Sequence, residues 1–397
     1  MSELFPDPEL YRLAATRPEN ELLLLCAHRG GAGAAAGRVG ELARAVVDWD
    51  YLYGLAHRHA LLPLLYRGLE ESARDSTPAG LRERLRAKFR ENATRNTLLA
   101  GELVRIARLF GAAGVVPLAY KGPALAVQAY GDLSLRRFID LDVIVRRRDV
   151  ALAGERLLSL GFGKPEGLTA SQEKFLLRRQ HNLAFSRDGG RLTVELHWEV
   201  SPAPFASVPL GEGAWERAST VTLHGAEVKC LAPEDLLLAL AVHGTKHLWE
   251  RLAWVCDVAA LLNSRPGLDW DFVLRRARDS RVERMLHLAL RLARGLAGAK
   301  LPEGLIASAR DPAVSGLASE VASGLFAGPG YEPAGFVRNV RFNMRARGRL
   351  REKASYLRFI FTPTDGDLTA VSLPAGMSFL YYFLRPLRLA LKGGDGH

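Results

Sequence analysis

Arg136-Arg137-Phe138-Ile139-Asp140-Leu141-Asp142-Val143-Ile144-Val145 places two acids one residue apart inside a run of apolar and β-branched residues. Such a run reads as a buried strand. Alternate side chains of a strand share a face, so Asp140 and Asp142 project together, opposite Leu141 and Val143. Two carboxylates on one face repel each other and are costly to bury unpaired. Two arrangements relieve that cost. One is a divalent cation held by oxygen ligands, of which Mg²⁺ alongside substrate phosphates is the usual case. The other is ion pairing with the neighbouring arginines. The stretch alone leaves both open.

The chain around this strand changes character twice. Residues 1–110 read as a helical region, with apolar residues at helical spacing through Leu22–Leu25, Trp49–Leu69 and Leu81–Phe110. The glycine-rich stretch Arg29–Gly37 imitates a dinucleotide-binding loop but lacks a preceding strand, and it is expected to be a flexible linker. Residues 111–230 mix strands with helices: a strand at Val115–Tyr120, a Lys121-Gly122-Pro123 turn, a helix to Tyr130, the acidic strand, and a helix from Asp149 to Leu160. A hairpin then turns at Asp188-Gly189-Gly190 between His181–Ser186 and Leu192–Trp198. This is an α/β core of small size. Residues 231–397 return to helices: one from Pro233 continuing towards Asn263, then Trp270–Ala297, Ile306–Phe326 and Gly335–Ile360. The tail Met377–Lys392 is basic and aromatic, and it either packs on the body or lies on a membrane surface as a peripheral contact.

A second acidic strand supplies a partner for the first. Glu195 lies between Val194 and Leu196, so it shares a face with His197. Beside Asp140 and Asp142 it would complete a three-acid site able to hold two Mg²⁺ ions, with Mn²⁺ as a substitute. Upstream, the Lys121-Gly122 turn at a helix start offers backbone N–H groups to phosphates. Downstream, His243, His247, Glu250, Trp254 and Asp257 recur at steps of three and four beside Lys246, so one helix face is expected to contact phosphate or base. His243-x-x-x-His247 is also a zinc-like spacing, although Gly244 stands where a metalloprotease carries glutamate.

Composition is consistent with an anionic partner. The formal net charge is +11, much of it arginine, which suits nucleotides, RNA, phosphorylated substrates or a membrane surface. Cys26, Cys230 and Cys256 are too far apart for a zinc site and point to a reduced, cytoplasmic setting. The N-terminus has no evident signal peptide, and no apolar run reaches the ~18–20 residues that span a bilayer.

Taken together, Leu118-Ala119-Tyr120-Lys121-Gly122, Tyr130, Arg136 through Val145, Glu195-Leu196-His197-Trp198 and His243 through Asp257 resemble a bacterial family usually labelled uncharacterised nucleotidyltransferase, within the DNA-polymerase-β-like superfamily. The resemblance implies an α+β fold: a small mixed-sheet nucleotidyltransferase core flanked by N-terminal and C-terminal helical regions. It implies Asp140, Asp142 and Glu195 as metal ligands, with Glu195 also activating the acceptor hydroxyl. It places Gly122 in the phosphate turn, although Pro123 follows where the superfamily pattern has Gly or Ser, and Lys121 is expected to compensate by touching phosphate. Arg136, Arg137, Lys246, His243 and His247 are the further nucleotide- and phosphate-contacting candidates.

The expected reaction is transfer of an NMP from a Mg-bound nucleoside triphosphate, ATP among them, to a hydroxyl or phosphate acceptor, with release of pyrophosphate. The acceptor is a small molecule, sugar or peptide, in natural-product or polysaccharide biosynthesis. Two rival readings are a toxin-like enzyme acting on tRNA and a catalytically idle protein that binds a nucleotide or a partner.

Overall fold

A computed structural model of the chain describes residues 4–28, 34–46, 48–164, 177–178, 180–308, 311–328, 335–363, 367, 371, 373 and 375–385. It is a mixed α+β structure built on one six-stranded sheet. The strands are β1 (Leu118–Ala119), β2 (Asp140–Ile144), β3 (Asn182–Arg187), β4 (Leu192–His197), β5 (Ser219–Leu223) and β6 (Ala226–Cys230). Their order is β3-β4-β2-β1-β6-β5. β2 runs parallel to β4 and β1 parallel to β6, while the remaining neighbours are antiparallel.

The sheet is asymmetric in chemistry. Leu141, Val143, Val194, Leu196, Val221 and Val228 point to one face. There they pack beneath the long helix Ala79–Ala112, through Leu99, Leu103, Ile106 and Phe110, and beneath the helix Val150–Ser159. The opposite face of β2 and β4 carries Asp140, Asp142, Glu195 and His197. A second apolar core joins the N-terminal helices to the C-terminal ones: Leu22–Leu25, Leu52 and Leu65 belong to the same cluster as Leu236–Leu240, Val255, Leu288 and Leu317. The two helical ends of the chain are therefore packed as one body over the acidic side of the sheet.

Several elements differ from the expectations. The helix from Pro233 stops at Lys246 and a new one starts at Leu252. Between them Leu248 and Trp249 adopt left-handed backbone (φ 53° and 54°), and Trp249 is fully buried. A Cβ on Gly244 would lie 2.5 Å from the Trp249 ring, so the glycine is the space that receives the indole. This explains Gly244 within His243-x-x-x-His247. The expected helices over Trp270–Ala297, Ile306–Phe326 and Gly335–Ile360 are each two helices, the first interrupted at left-handed Arg281 and the second restarting at Pro312. The β5–β6 hairpin, turning at His224-Gly225, was not anticipated. Within the expected linker Arg29–Gly37, a helix already begins at Ala34, driven by alanine; residues 29–33 lie outside the described set. The end of the basic tail, residues 386–392 with Arg388 and Lys392, also lies outside it.

Candidate active site

The site begins with how β2 is held. Asn92 and Asn96 of the long helix donate to the carbonyls of Leu133, Ser134 and Arg136, fixing the loop that leads into the strand. Pairing then sets the register: Asp142 lies opposite Glu195 and Ile144 opposite His197. Because both strands run the same way, one face presents Asp140 and Asp142 beside Glu195 and His197.

The polar groups close on each other. His197 Nε2 lies 3.2 Å from Asp142 Oδ1 and 3.1 Å from Glu195 Oε2. Lys121 Nζ is 2.7 Å from Asp142 Oδ1, and Asn182 donates to Glu195 Oε2 at 3.0 Å. The ring of His197 stands edge-on to Tyr120 and to His181. Burial alone would raise the pKa of Asp142, but Lys121 and His197 outweigh it and hold the carboxyl well below the usual range. Glu195 is lowered, first by its hydrogen bond with His197. Burial opposes charge on His197 and Lys121, yet their carboxylate partners raise both. Asp140 behaves differently: burial and the charge of Asp142 push it up.

Among the described residues, Asp142, Glu195 and His197 each offer a ligand atom within 4.8 Å of the others. The expected third member, Asp140, is not in that group. It sits two residues along β2, a step of about 7 Å, and lines the cleft instead. His197 joins Asp142 and Glu195 because its two-residue spacing from Glu195 puts it on the same face. The signal was present in Glu195-Leu196-His197. Two carboxylates and an imidazole nitrogen form a donor set that fits a divalent cation, with Asp140 able to add oxygen at its edge. The His243/His247 pair does not form part of a three-ligand group among the described residues, which removes the structural support for zinc there.

These groups floor a cleft of about 750 Å³. Its far wall is the helix Pro233–Lys246 and the turn after it. His243, His247 and Trp254 form an aromatic cluster, with ring centroids 4.8–5.5 Å apart. Burial, with Lys121 next, drives the His243 pKa well below its ordinary value, so its ring is neutral. Lys246 faces the same space, and burial lowers its pKa. Arg137 and the exposed Ile139 form the rim.

Two expected contacts are placed elsewhere. Arg136 borders the cleft, but its guanidinium is committed to Asp257 by bonds of 2.9 and 3.0 Å, and Tyr130 Oη donates to the same carboxylate. Asp257 consequently belongs to this buried pair rather than to the histidine face. Gly122 is buried and is not among the cleft-lining residues. Its φ of 53° turns it against the strand, where an added Cβ would meet the Asp140 carbonyl at 3.2 Å. A short helical turn, Gly122–Leu125, follows it and widens into a π-helical turn at Ala126–Tyr130.

A family described as uncharacterised nucleotidyltransferase matches residues 45–298, which include the whole sheet and both walls of the cleft. The chain belongs to this family. A nucleotidyltransferase-like antigenic protein from Paracoccidioides brasiliensis is a structural neighbour at 15% identity, covering 50% of this chain and 94% of its own, with a TM-score of 0.26. That score is too low to argue from. No curated protein matches. Membership of the nucleotidyltransferase family thus rests on the region that contains Asp142, Glu195 and His197.

Proposed function

We propose that the cleft transfers an NMP from a Mg-bound nucleoside triphosphate to a hydroxyl or phosphate acceptor, releasing pyrophosphate. One observation carries this reading. The parallel register of β2 and β4 brings Asp142, Glu195 and His197 within 4.8 Å at the floor of a cleft whose opposite wall carries cations and flat rings. A divalent ion bound there would neutralise charge on the triphosphate.

The protein's own contribution is positioning. Asp142 and Glu195 would hold the ion through oxygen, with His197 Nε2 as the third donor. Lys121 and Lys246 supply donors for phosphate oxygens, and Arg137 does so at the rim. Arg136 acts from behind the wall by fixing Asp257. His243, His247 and Trp254 offer stacking surface to a base. Asp140 lies outside the three-donor group and lines the cleft, so its carboxylate is placed to take the acceptor proton. The acceptor oxygen bonds to the α-phosphorus as the bond from that phosphorus to the pyrophosphate oxygen breaks.

ATP as donor, and a sugar, peptide or small natural-product acceptor, follow the family resemblance. The buried, unpaired Cys26, Cys230 and Cys256 support a reducing, cytoplasmic setting. No helix among the described residues is long and apolar enough to cross a membrane. The test is a mass-spectrometric search for NMP mass gain on hydroxyl, sugar-phosphate, peptide and tRNA acceptors with each triphosphate. Asp142→Asn should remove any gain. Full transfer by that variant would sink the assignment.

A further inference from the structure

The C-terminal helix Leu350–Ile360 is amphipathic on two sides. Its inner side packs Tyr356 and Phe359 against Phe205, and Ser355 Oγ donates to the Pro204 carbonyl. Its outer side exposes Leu350, Ala354, Leu357 and Phe361, spaced four, three and four apart, so they form one stripe. Leu350 is 83% exposed, Leu357 42% and Phe361 44%. A helix that has already buried one apolar face does not need a second for its own packing.

Exposed apolar residues also occur beyond the helix. Arg385 Nε donates to the Ile360 carbonyl at 2.7 Å, which ties the segment 375–385 to this end. That segment exposes Phe379 (59%) and Phe383 (67%), while Tyr381 between them is buried. A cluster of exposed large apolar residues at one end of the chain is the kind of surface that interaction sites use.

Charge indicates the partner. Residues 336–361 contain seven arginines and one lysine against the single acid Glu352. Arg338 and Arg345 pair with Glu320, Arg349 reaches Glu283 and Glu352, and Arg347 is buried. Arg341, Arg351, Lys353 and Arg358 carry no ion pair among the described residues, and Arg351 and Arg358 flank the apolar stripe. Exposed Leu and Phe between unpaired arginines fit a surface that is anionic outside and apolar beneath. RNA would use the arginines but leave Leu350, Leu357, Phe379 and Phe383 in water.

We propose that the face formed by Leu350, Leu357, Phe361, Phe379 and Phe383, with Arg351 and Arg358, docks the protein on anionic lipid bilayers. The apolar stripe enters the boundary between headgroups and acyl chains, and the arginines meet the lipid phosphates. This end of the chain is linked to the cleft by a hydrogen bond, since Gln180, a cleft residue, donates to the Pro363 carbonyl at 3.3 Å.

The test is co-sedimentation of the full chain with vesicles of phosphatidylcholine alone and of phosphatidylcholine mixed with phosphatidylglycerol, at low and high salt. Binding is expected to the mixed vesicles only and to weaken with salt. Each arginine contact is worth about fivefold in partitioning, so Arg351→Glu with Arg358→Glu should lower binding by more than an order of magnitude. Leu357→Glu with Phe361→Glu should abolish it. All four positions are exposed, and circular dichroism verifies that both variants fold. Absence of binding to the mixed vesicles, or binding that neither double variant weakens, overturns the proposal. So does finding that the same residues instead control single-stranded RNA binding or dimerisation while vesicles do not bind.

Discussion

Arg136 and Asp257 meet in a two-point ion pair, 121 residues apart in the chain, with both side chains nearly out of solvent. The pair joins the residue that leads into β2 to the helix Leu252–Ser264, and thereby fixes the distance between the floor of the cleft and its far wall. Tyr130 completes the network from below.

Removing one member leaves the other charged and buried. Arg136→Ala should therefore cost about 3–5 kcal/mol of unfolding free energy. Arg136→Lys should recover only part of this, because an ammonium lacks the planar fork that meets both carboxylate oxygens. Urea denaturation followed by tryptophan fluorescence measures both losses. A value within 0.5 kcal/mol of wild type, the size of an ordinary surface substitution, would contradict the role given to the pair.

Gly244→Ala tests the turn that aims His247 and Trp254. The new methyl would meet a rigid indole at 2.5 Å, which must be relieved by displacing Trp249. Overpacking of this type costs about 1–3 kcal/mol. The expected signature is a lower melting temperature together with weaker triphosphate binding in calorimetry, since the displaced turn carries the aromatic cluster.

Lys121→Met probes the floor. Methionine keeps much of the side-chain volume but leaves Asp142 with His197 as its remaining side-chain partner among the described residues. Triphosphate affinity should fall by at least tenfold, about 1.4 kcal/mol, as a charged donor disappears from the cleft. Unchanged affinity in calorimetry would show that Lys121 serves Asp142 alone.

His59 gives the protein an acid-sensitive joint. Its Nδ1 accepts from the Leu252 backbone N–H at 3.3 Å, and its Nε2 donates to the Leu325 carbonyl at 2.8 Å, an arrangement that requires the neutral ring. Burial, reinforced by Arg58, lowers its pKa from 6.5 to about 4. Between those values the unfolded chain binds the proton and the folded one does not. Stability contributed by the neutral ring is thus fully present above 6.5, declines as pH falls towards 4, and levels off below. The full effect is about 3 kcal/mol. His59→Gln, which retains a donor and an acceptor, should show a flatter decline when denaturation is followed across this range; equal slopes would refute the assignment.

Local pattern was enough to read much of the site. Strand alternation placed Asp140 with Asp142 and Glu195 with His197, because the period of two follows directly from backbone geometry. The composition of the acid strand likewise separated the sheet core from its helical flanks. Other features are not local. Nothing near Arg136 announces Asp257, since the pair forms only when distant helices close over the sheet. The break at Leu248-Trp249 carries neither glycine nor proline in the turn itself, so it passed for continuous helix, and the glycine that explains it lies five residues upstream. That His197 groups with Asp142 as well as with Glu195 depends on the register between strands, which one sequence does not state. The β5–β6 hairpin had a visible turn at His224-Gly225, and Val221, Leu223, Val228 and Cys230 alternate on either side of it.

The two apolar clusters have a mechanical consequence. One cluster lies between the sheet and the helices beneath it, the other joins the helical ends to the acidic side of the sheet through Leu118, Tyr120, Ile144 and Leu231, and the cleft opens beside that second cluster. A substrate that widens the cleft works against packed hydrocarbon as well as against polar links such as Arg136–Asp257 and the bond from Gln128 to the Leu231 carbonyl. Aperture and fold stability are therefore coupled, and a change in these links that admits a bulkier acceptor also draws on the stability of the body they join.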